Sequence, residues 1–201
     1  MAEMGLRETK RRATAHALAQ AAFDLAVEHG LDNFTIDDVA ARAGYSRRTF
    51  ANHFSCKEEA VTGLAVERLA EGLETVPPMA EATPLVDWLE ALARHQLSGG
   101  ILPLLQQLRG LAREHPGLEP YLAELHVQIR RMALETVARR TGSDASRLAS
   151  HILVGAAYGA LMSVLDGQVA IRLPGDTNAP DEALTPDAFL TDVFARLRRG
   201  F

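Results

Sequence analysis

The stretch that decides the fold is TIDDVAARAGYSRRTF, which runs from Thr35 to Phe50. Its first half has apolar side chains at the spacing i, i+3, i+4, i+7 of one helical face, namely Ile36, Val39, Ala40 and Ala43. Thr35 and Asp38 have the spacing of a capping box at the start of this helix. Gly44 supplies its stop, because glycine tolerates the left-handed conformation that often follows a helix. The pattern predicts a short helix that is stable only when it packs against its neighbours.

A second short helix is predicted directly after this turn. Ser46 can cap it, and Phe50 and Phe54 share its apolar face because they lie four residues apart. Arg47 and Arg48 then fall in the first turn, where the helix dipole disfavours positive charge. This placement is reasonable if an anionic group lies opposite the two arginines. The alternative is that they simply form a solvated surface.

The rest of the chain is also predicted to be helical, because no segment alternates apolar and polar residues as a strand does. The predicted helices cover residues 9–28, 57–76, 83–97, 101–114, 118–140, 144–170 and 185–199. A polar loop rich in proline and glycine, residues 172–186, separates the last two. We therefore predict an all-α protein with an N-terminal three-helix bundle over residues 1–55 and a second helical domain over residues 56–201.

Composition and charge narrow the class of protein. Of 201 residues 47% are hydrophobic and 23% are charged, as in soluble globular proteins. The net charge is -5, and residues 1–55 hold seven basic and seven acidic side chains, so the acidic excess lies in residues 56–201. We expect a cytoplasmic protein without a secretory signal, since the most apolar run, 152–165, is too short to cross a bilayer. A single cysteine, Cys56, agrees with a reducing compartment.

Two short helices joined by a glycine turn, the second beginning with basic residues, are typical of a helix-turn-helix. In this motif the second helix enters the major groove of DNA and its first residues meet base edges. Arginine suits guanine, asparagine suits adenine, and threonine suits several bases. Tyr45 in the turn suits a thymine methyl or a phosphate, and the backbone N–H groups at the helix starts Thr35, Ser46 and Lys57 suit phosphate. The candidate DNA-binding residues are Thr35, Tyr45, Ser46, Arg47, Arg48, Thr49, Asn52, His53 and Lys57.

Two other features near this motif have open interpretations. His53 either contacts a phosphate or packs structurally beside Phe54. The basic segment RETKRR, residues 7–12, either reaches DNA or is a charged tail without that role.

The run TIDDVAARAGYSRRTFANHFSCKEEAV, residues 35–61, resembles the TetR family of bacterial transcriptional regulators, and so does the preceding helix that ends in HGLDNF. About 60 residues carry the resemblance. One position departs from the family pattern: Ala51 stands where the family usually has an aromatic residue, often a tyrosine that touches a phosphate. His53 is the candidate to replace that contact.

The resemblance implies a fold and a mechanism. The second domain would be a helical ligand-binding and dimerisation domain, and a homodimer would bind a pseudo-palindromic double-stranded DNA operator. A small-molecule effector, mainly apolar, would favour a conformation that releases DNA, with the helix over 57–76 as the lever. The protein would then be a ligand-responsive repressor. The alternative is a factor of the same fold that organises DNA or regulates cell division through a protein partner, without a small-molecule effector.

Candidate residues in the second domain form two sets. Apolar or mixed residues on predicted internal helices are the candidates for ligand binding, each with ordinary core packing as its alternative: Trp88, Leu92, His95, Leu105, Leu108, His126, Met132, Tyr158 and Met162. By the resemblance, the small residues of GAAYGALM and two phenylalanines of the last helix are candidates for a four-helix dimer interface, with intrachain core as the alternative: Gly155, Ala156, Gly159, Ala160, Phe189 and Phe194.

The sequence gives no motif for catalysis or cofactor binding. It contains no glycine-rich phosphate loop, nucleophile elbow or His/Cys pair at metal-ligand spacing. We therefore predict neither enzyme activity, nor a cofactor, nor a metal site. A redox role for Cys56 is disfavoured because the chain has no second cysteine to resolve it.

Overall fold

A computed structural model describes residues 2–141 and 147–200 of the chain. Over the first part these residues form four α-helices, with a 3₁₀ turn at Leu31–Asn33 after the first: α1 Ala2–His29, α2 Ile36–Arg42, α3 Arg47–Ala51 and α4 Lys57–Glu74. The remaining helices, with a 3₁₀ turn at Pro116–Leu118, are α5 Leu85–Ser98, α6 Ile101–Glu114, α7 Glu119–Thr141, α8 Arg147–Leu165 and α9 Pro186–Arg199. The predicted all-α fold is confirmed.

The chain divides into two compact units. Unit 1 comprises the residues up to Arg68 together with Gln107–Leu125, and unit 2 comprises Leu69–Gln106 and the residues from His126 onward. The boundary predicted between residues 55 and 56 marks the end of the three-helix bundle, whereas unit 1 also contains the first half of α4 and the corner between α6 and α7. The two compact units therefore do not coincide with the domains predicted over residues 1–55 and 56–201.

Unit 1 has a core built from the apolar faces that the sequence identifies. Helix α2 packs on α1 and on α3. The side chains that fix these contacts are almost completely buried, and they are Leu18, Ala22, Val39, Ala40 and Phe50. Burial of such side chains supplies most of the free energy that holds short helices in place.

Helix α1 is longer than predicted, because it begins at Ala2 instead of near residue 9. The basic segment 7–12 therefore lies on a helix and is not an irregular tail. Arg7, Lys10, Arg11 and Arg12 are all exposed on it.

Unit 2 is organised around α9, which packs on α5 and on α8. Thr185 accepts a hydrogen bond from the Ala188 N–H at 3.1 Å and Pro186 occupies the first turn, as the sequence predicts for this helix start. Phe189, Leu190 and Phe194 form its buried face.

Helix α8 and the following loop differ from the prediction. The predicted start at Asp144 lies outside the described residues. The helix ends at Leu165 instead of Ala170, because Gly167 has a φ of +76° and its N–H donates to the carbonyl of Val164. The loop beyond it is closed by a bridge that pairs Ile171 with Leu184.

The apolar part of α8 is longer than the run 152–165 that was expected to be too short to cross a bilayer. Leu148–Leu165 is long and apolar enough to span a membrane by length and composition alone, and 22% of this stretch is buried. The prediction bounded the run at His151, but Leu148 and Ala149 extend it on the N-terminal side. Apolar helices of soluble proteins have the same composition, so this property does not by itself indicate a membrane.

Candidate nucleic-acid interface and cavity

The turn between α2 and α3 is a Schellman motif centred on Gly44. The N–H of Gly44 donates to the carbonyl of Ala41 at 3.1 Å, and the N–H of Tyr45 donates to that of Ala40 at 2.8 Å. Gly44 has a φ of +75°, a conformation that side chains with a Cβ rarely adopt. Glycine here sets the direction in which α3 leaves α2.

Helix α3 is short, and its orientation depends on a cap and on two phenylalanines. The Ser46 hydroxyl accepts from the Thr49 N–H at 3.1 Å. Phe50 is 1% exposed and its ring lies 5.7 Å from that of Phe54. The Phe54 ring in turn lies over Gly63 of α4, where even a methyl group would come within 3.0 Å of it. The polar face of α3 is thereby held in a fixed direction.

The two arginines of α3 are exposed but differ in their contacts. Arg47 forms an ion pair with Asp37 of α2 at 2.8 Å, with about two thirds of both side chains exposed. The Arg48 guanidinium forms no hydrogen bond or ion pair with another described residue. Because exposed ion pairs contribute about 0–1 kcal/mol, Arg47 can exchange its partner for an anionic ligand at little cost.

The other residues predicted around α3 lie on the same exposed side or beside it. Asn52 is exposed, Thr49 is half-buried, and the Tyr45 hydroxyl accepts from Thr14 of α1 at 3.4 Å. Thr35 forms the predicted capping box with Asp38, whose carboxylate accepts from the Thr35 N–H at 2.8 Å. Ala51 is exposed next to Asn52.

His53 is partly buried beside Phe54, with 6.4 Å between the ring centroids. The pKa of His53 is lowered, first by burial of the ring and second by the positive charge of Arg11. Its imidazole is therefore suited to donate an N–H to a phosphate rather than to offer a positive charge.

The side chain of Lys57 binds the turn between α1 and α2, whereas its predicted phosphate contact is made by its backbone N–H. The Nζ atom donates to the carbonyl oxygens of Leu31 at 2.5 Å and Phe34 at 3.0 Å, and it lies 4.9 Å from the centroid of the Phe34 ring. The positive charge thus holds the turn between α1 and α2. The backbone N–H of Lys57, at the start of α4, stays the predicted phosphate contact.

The same turn is held from its other side by His115, which the sequence analysis missed. His115 Nε2 accepts from the Leu31 N–H at 3.3 Å, and Nδ1 lies 3.0 Å from the Asp32 carboxylate. Because Nε2 accepts, the proton belongs on Nδ1, which donates to Asp32. Gly30, with a φ of +77°, lies against the His115 ring. No local pattern reveals this contact, since 84 residues separate Leu31 from His115.

A second contact that the sequence analysis missed joins α2 to α1. Arg42 donates two hydrogen bonds to the Glu28 carboxylate, at 2.6 Å and 2.5 Å. The hydrogen bond from Arg42 lowers the pKa of Glu28. This bidentate pair helps to fix α2, which carries Asp37 and leads into the turn at Gly44.

Unit 2 contains a cavity of about 160 Å³. Helices α4 to α9 all contribute to its wall, and eighteen of the twenty lining residues are apolar. The lining residues are Leu69, Leu73, Leu89, Leu92, Ala93, Gln96, Leu97, Ile101, Leu105, Ile129, Met132, Ala133, Val154, Ala157, Tyr158, Leu161, Phe189, Leu190, Val193 and Phe194.

The structure brings four of the nine predicted ligand-binding residues to this cavity: Leu92, Leu105, Met132 and Tyr158. The others do not line it, and each has a visible structural role or position. Trp88 is buried under the Arg140 guanidinium, His95 is hydrogen-bonded to Thr75, His126 supports Tyr158, Leu108 is fully buried in unit 1, and Met162 is half-buried on α8. Helical periodicity identifies buried faces, but not which of them borders a void.

The two polar side chains in the cavity wall already have hydrogen-bond partners. Tyr158 Oη lies 2.5 Å from His126 Nδ1, and burial raises the pKa of Tyr158 to about 12, which keeps the phenol uncharged. Gln96 Nε2 donates to the carbonyl of Leu69 at 3.1 Å. The Gln96 amide lies so close to Gly72 that a Cβ there would be 2.3 Å from Oε1, so glycine at this point of α4 makes room for it.

The α9 wall of the cavity is fixed to α5 by ion pairs. Arg198 of α9 binds Asp87 at 2.7 Å and also Glu90, while Arg94 of α5 binds Glu90 at 2.6 Å and also Asp187. Burial alone would raise the pKa of Glu90, but hydrogen bonds from Arg94 and Arg198 outweigh it, so the pKa is lowered. These contacts keep the aromatic residues of α9 against the cavity.

The residues predicted for a dimer interface separate into two groups. Phe189 and Phe194 are 7% and 0% exposed and line the cavity, so their side chains are not available to a second subunit and we withdraw them from that surface. Gly155 and Gly159 of α8 lie in open space, and Ala156 and Ala160 are half-buried. Large apolar side chains are exposed on the same helix, with Leu148 at 72% and Ile152 at 54%.

Among the described residues, no group of three or more His, Cys, Asp or Glu side chains is placed to hold a metal ion. Cys56 caps α4, because its Sγ accepts from the Glu59 N–H at 3.4 Å, and it also donates to Tyr121 Oη at 3.2 Å. That hydrogen bond is the main reason why the pKa of Tyr121 is raised to about 12. Both contacts give the cysteine a structural role at the end of the helix-turn-helix bundle.

Two family profiles match the chain. The profile of bacterial regulatory proteins of the tetR family matches residues 18–61, which contain α2, the glycine turn and α3. The profile of the MftR C-terminal domain, also a TetR-type C-terminal domain, matches residues 100–201, just over half of the chain. The chain belongs to the TetR family. Proteins of this family are DNA-binding transcriptional regulators.

Solved structures of TetR-family regulators share the fold. The chain superposes on a regulator described as TetR-family from Syntrophomonas wolfei with a TM-score of 0.56 and 13% identity, covering 95% of this chain and 94% of that one. One from Mesorhizobium loti gives 0.52 and 16%, covering 94% and 95%, and a transcriptional regulator from Rhodococcus sp. Rha1 gives 0.51 and 19%, covering 92% and 94%. No curated protein sequence matches the chain. At these identities the likeness establishes the TetR fold alone.

Proposed function

We propose that this TetR-family protein is a cytoplasmic, ligand-responsive repressor that binds a pseudo-palindromic operator as a homodimer. The observation that carries the proposal is the fixed polar face of α3, on which Arg47, Arg48 and Asn52 are exposed while Phe50 is buried. A recognition helix needs this arrangement, because its apolar face must set the docking angle while its first residues meet base edges.

Each exposed residue has a role that suits its chemistry. Arg48, whose side chain has no partner among the described residues, is the first candidate for a bidentate contact to guanine, and Asn52 is the candidate for adenine. Arg47 is a further candidate for a base contact, after its ion pair with Asp37 is broken. Tyr45, the imidazole N–H of His53 and the backbone N–H of Lys57 are the candidates for phosphate contacts, which would fix the register of the helix without reading sequence.

Dimerisation is proposed through α8, in accordance with the small residues predicted there. Gly155 and Gly159 allow a second helix to approach closely, and the exposed Leu148 and Ile152 add apolar surface that a partner would bury. This role explains the apolar composition of α8 in a DNA-binding regulator better than a membrane span does. Since Phe189 and Phe194 are no longer counted in the dimer interface, the proposed interface consists of residues of α8.

The effector is proposed to bind the apolar cavity of unit 2. A ligand that binds one conformation more tightly than the other shifts the equilibrium by its differential affinity, and a coupling of about 1–3 kcal/mol gives about 5–150-fold regulation. The chain passes from one compact unit to the other within α4, α6 and α7. These three helices are therefore the proposed route of coupling.

The alternative is a DNA-organising or cell-division factor without a small-molecule effector. A filled core in unit 2 would have favoured that alternative, since such a protein needs no ligand site. The cavity of about 160 Å³ favours the ligand-responsive regulator instead. The composition of the cavity wall favours a regulator over an enzyme, because the described residues that line it include no Asp, Glu, Lys, Arg, His, Ser, Thr or Cys.

The first test is selection of bound sequences from a random pool of DNA duplexes at a stated salt concentration, because salt changes apparent specificity. We expect enrichment of a pseudo-palindrome whose half-sites are separated by about one helical turn or a multiple of it. Arg48→Ala is expected to lose about 1–3 kcal/mol of binding free energy for that site with folding intact. Failure of the folded wild-type protein to enrich any sequence would refute the proposal.

A further inference from the structure

The walls of the unit 2 cavity exclude charge. Among the described residues that line it, none is Asp, Glu, Lys, Arg or His. An ionised group buried there would lose its hydration without gaining a partner, which is strongly unfavourable. A carboxylate, an ammonium or a phosphate is therefore strongly disfavoured wherever these apolar walls cover it.

The walls also offer little to a ligand with several polar groups. Tyr158 is engaged by His126, and the Gln96 amide is engaged by the Leu69 carbonyl and packed on Gly72. Any additional hydroxyl or amide of a ligand would lie against leucine, isoleucine, valine or phenylalanine. Polar groups buried without hydrogen bonds reduce affinity, so the best ligand has at most one of them.

The size and shape of the walls restrict the ligand further. A cavity of about 160 Å³ is close in volume to an engineered apolar cavity of about 150 Å³ that is known to hold benzene. Three aromatic rings, those of Tyr158, Phe189 and Phe194, contribute to the wall, and Met132 adds an adaptable thioether. Rings and sulfur both pack favourably against an aromatic ligand, with a preference beyond that of area alone.

We propose that this cavity binds an uncharged molecule with a single aromatic ring, an apolar body and at most one hydrogen-bonding group. The inference rests on the proposed function in taking the cavity as the effector site, and it adds the chemical class of the effector. Ionic aromatic compounds of the same size are outside that class. So are longer ligands whose charged end would have to enter the cavity.

The test is a panel of matched small molecules on the wild-type protein without DNA, measured by calorimetry and by thermal denaturation. The panel consists of toluene, methylcyclohexane, benzoate and benzylamine. Toluene is expected to bind and to raise the melting temperature by a few degrees at saturating concentration. Methylcyclohexane is expected to bind about 2- to 10-fold more weakly, from the lost aromatic contacts, and the two ions at least about 100-fold more weakly.

A variant pair locates the binding. Ala133 lines the cavity from α7, whereas Ala138 on the same helix is exposed. Ala133→Phe is expected to fill the space and abolish toluene binding, and Ala138→Phe is expected to leave it unchanged, with helix content measured for both. Because the panel itself uses the wild-type protein, the proposal stays testable even if Ala133→Phe fails to fold.

The outcomes distinguish this inference from the proposed function. Binding of benzoate or benzylamine within tenfold of toluene, methylcyclohexane binding more tightly than toluene, or no binding by any member would overturn the ligand class. None of these results bears on whether the protein reads DNA. Conversely, toluene binding without release of the selected operator would support the ligand class and refute the effector role.

Discussion

A substitution of Lys57 can show whether its side chain stabilises the DNA-binding bundle or contacts DNA. The sequence predicts a phosphate contact through the backbone N–H of Lys57, whereas its Nζ atom donates to two carbonyl oxygens that belong to the buried residues Leu31 and Phe34. Lys57→Met keeps most of the apolar stem and removes the ammonium group. The variant therefore isolates the contribution of the charge and its hydrogen bonds.

The magnitude follows from the contacts. Hydrogen bonds to charged groups contribute about 1.5–3 kcal/mol each, but two on one ammonium are not additive. The cation–π contact with Phe34 adds about 0.5–1 kcal/mol at most, because the group is partly solvated. We expect the free energy of unfolding to fall by about 2–4 kcal/mol, which shifts a urea midpoint by about 1–2 M if the m-value is about 2 kcal/mol/M.

The assay is urea denaturation followed by circular dichroism, together with operator binding at several salt concentrations. Lys10→Met is the matched control, since Lys10 is the only other lysine and is exposed on α1. Its unfolding free energy should stay within about 0.5 kcal/mol of the wild type. The reasoning is refuted if Lys57→Met is as stable as wild type and instead lowers the salt slope of DNA binding by about one unit, as loss of a phosphate contact would.

Further predictions concern the same bundle and the α5–α9 contacts. Phe50→Ala should cost about 3–5 kcal/mol of unfolding free energy in urea titrations, because it leaves a cavity under α3, and Gly44→Ala should cost about 1–2 kcal/mol from left-handed backbone strain. Asp37→Asn should strengthen operator binding up to about 5-fold in fluorescence anisotropy, by releasing Arg47 from an exposed ion pair; weaker binding would contradict this. The pKa of Glu90 is lowered from its ordinary value of 4.5, so its stabilising effect is present above pH 4.5 and is lost as the pH falls through the folded-state pKa. Acid unfolding of Glu90→Gln should accordingly depend less on pH below 4.5 than that of the wild type.

Local sequence signals predicted the helix-turn-helix well because its determinants are local. The capping box at Thr35, the glycine at position 44 and the cap at Ser46 all act over three or four residues, and each is present in the structure. The apolar faces of α2 and α3 follow directly from helical periodicity. Within this segment, residue type and spacing leave few alternatives.

Contacts between distant segments were not predictable in the same way. His115 and Leu31 are far apart in sequence, and Lys57 presents the same residue type whether it contacts a phosphate or a carbonyl. In α9, residues 189, 190, 193 and 194 clearly form one apolar face, but periodicity alone does not say whether that face meets a second subunit or a cavity. The burial of Phe189, Leu190 and Phe194 within the protomer shows that this face lines the cavity.

The environment of α3 explains how a protein with a net charge of -5 could use this helix as the proposed DNA-reading surface. The helix-turn-helix region has equal numbers of basic and acidic side chains, and Asp37 neutralises Arg47 until another partner replaces it. Non-specific binding depends on the number of phosphates neutralised, so this balance keeps it weak. In the proposed function a specific site would provide base contacts to Arg48 and Asn52 in addition, and only there would the exchange of Asp37 for DNA be favourable. Weak attraction to DNA in general would therefore increase the ratio between specific and non-specific affinity, which is the quantity that a DNA-binding regulator needs.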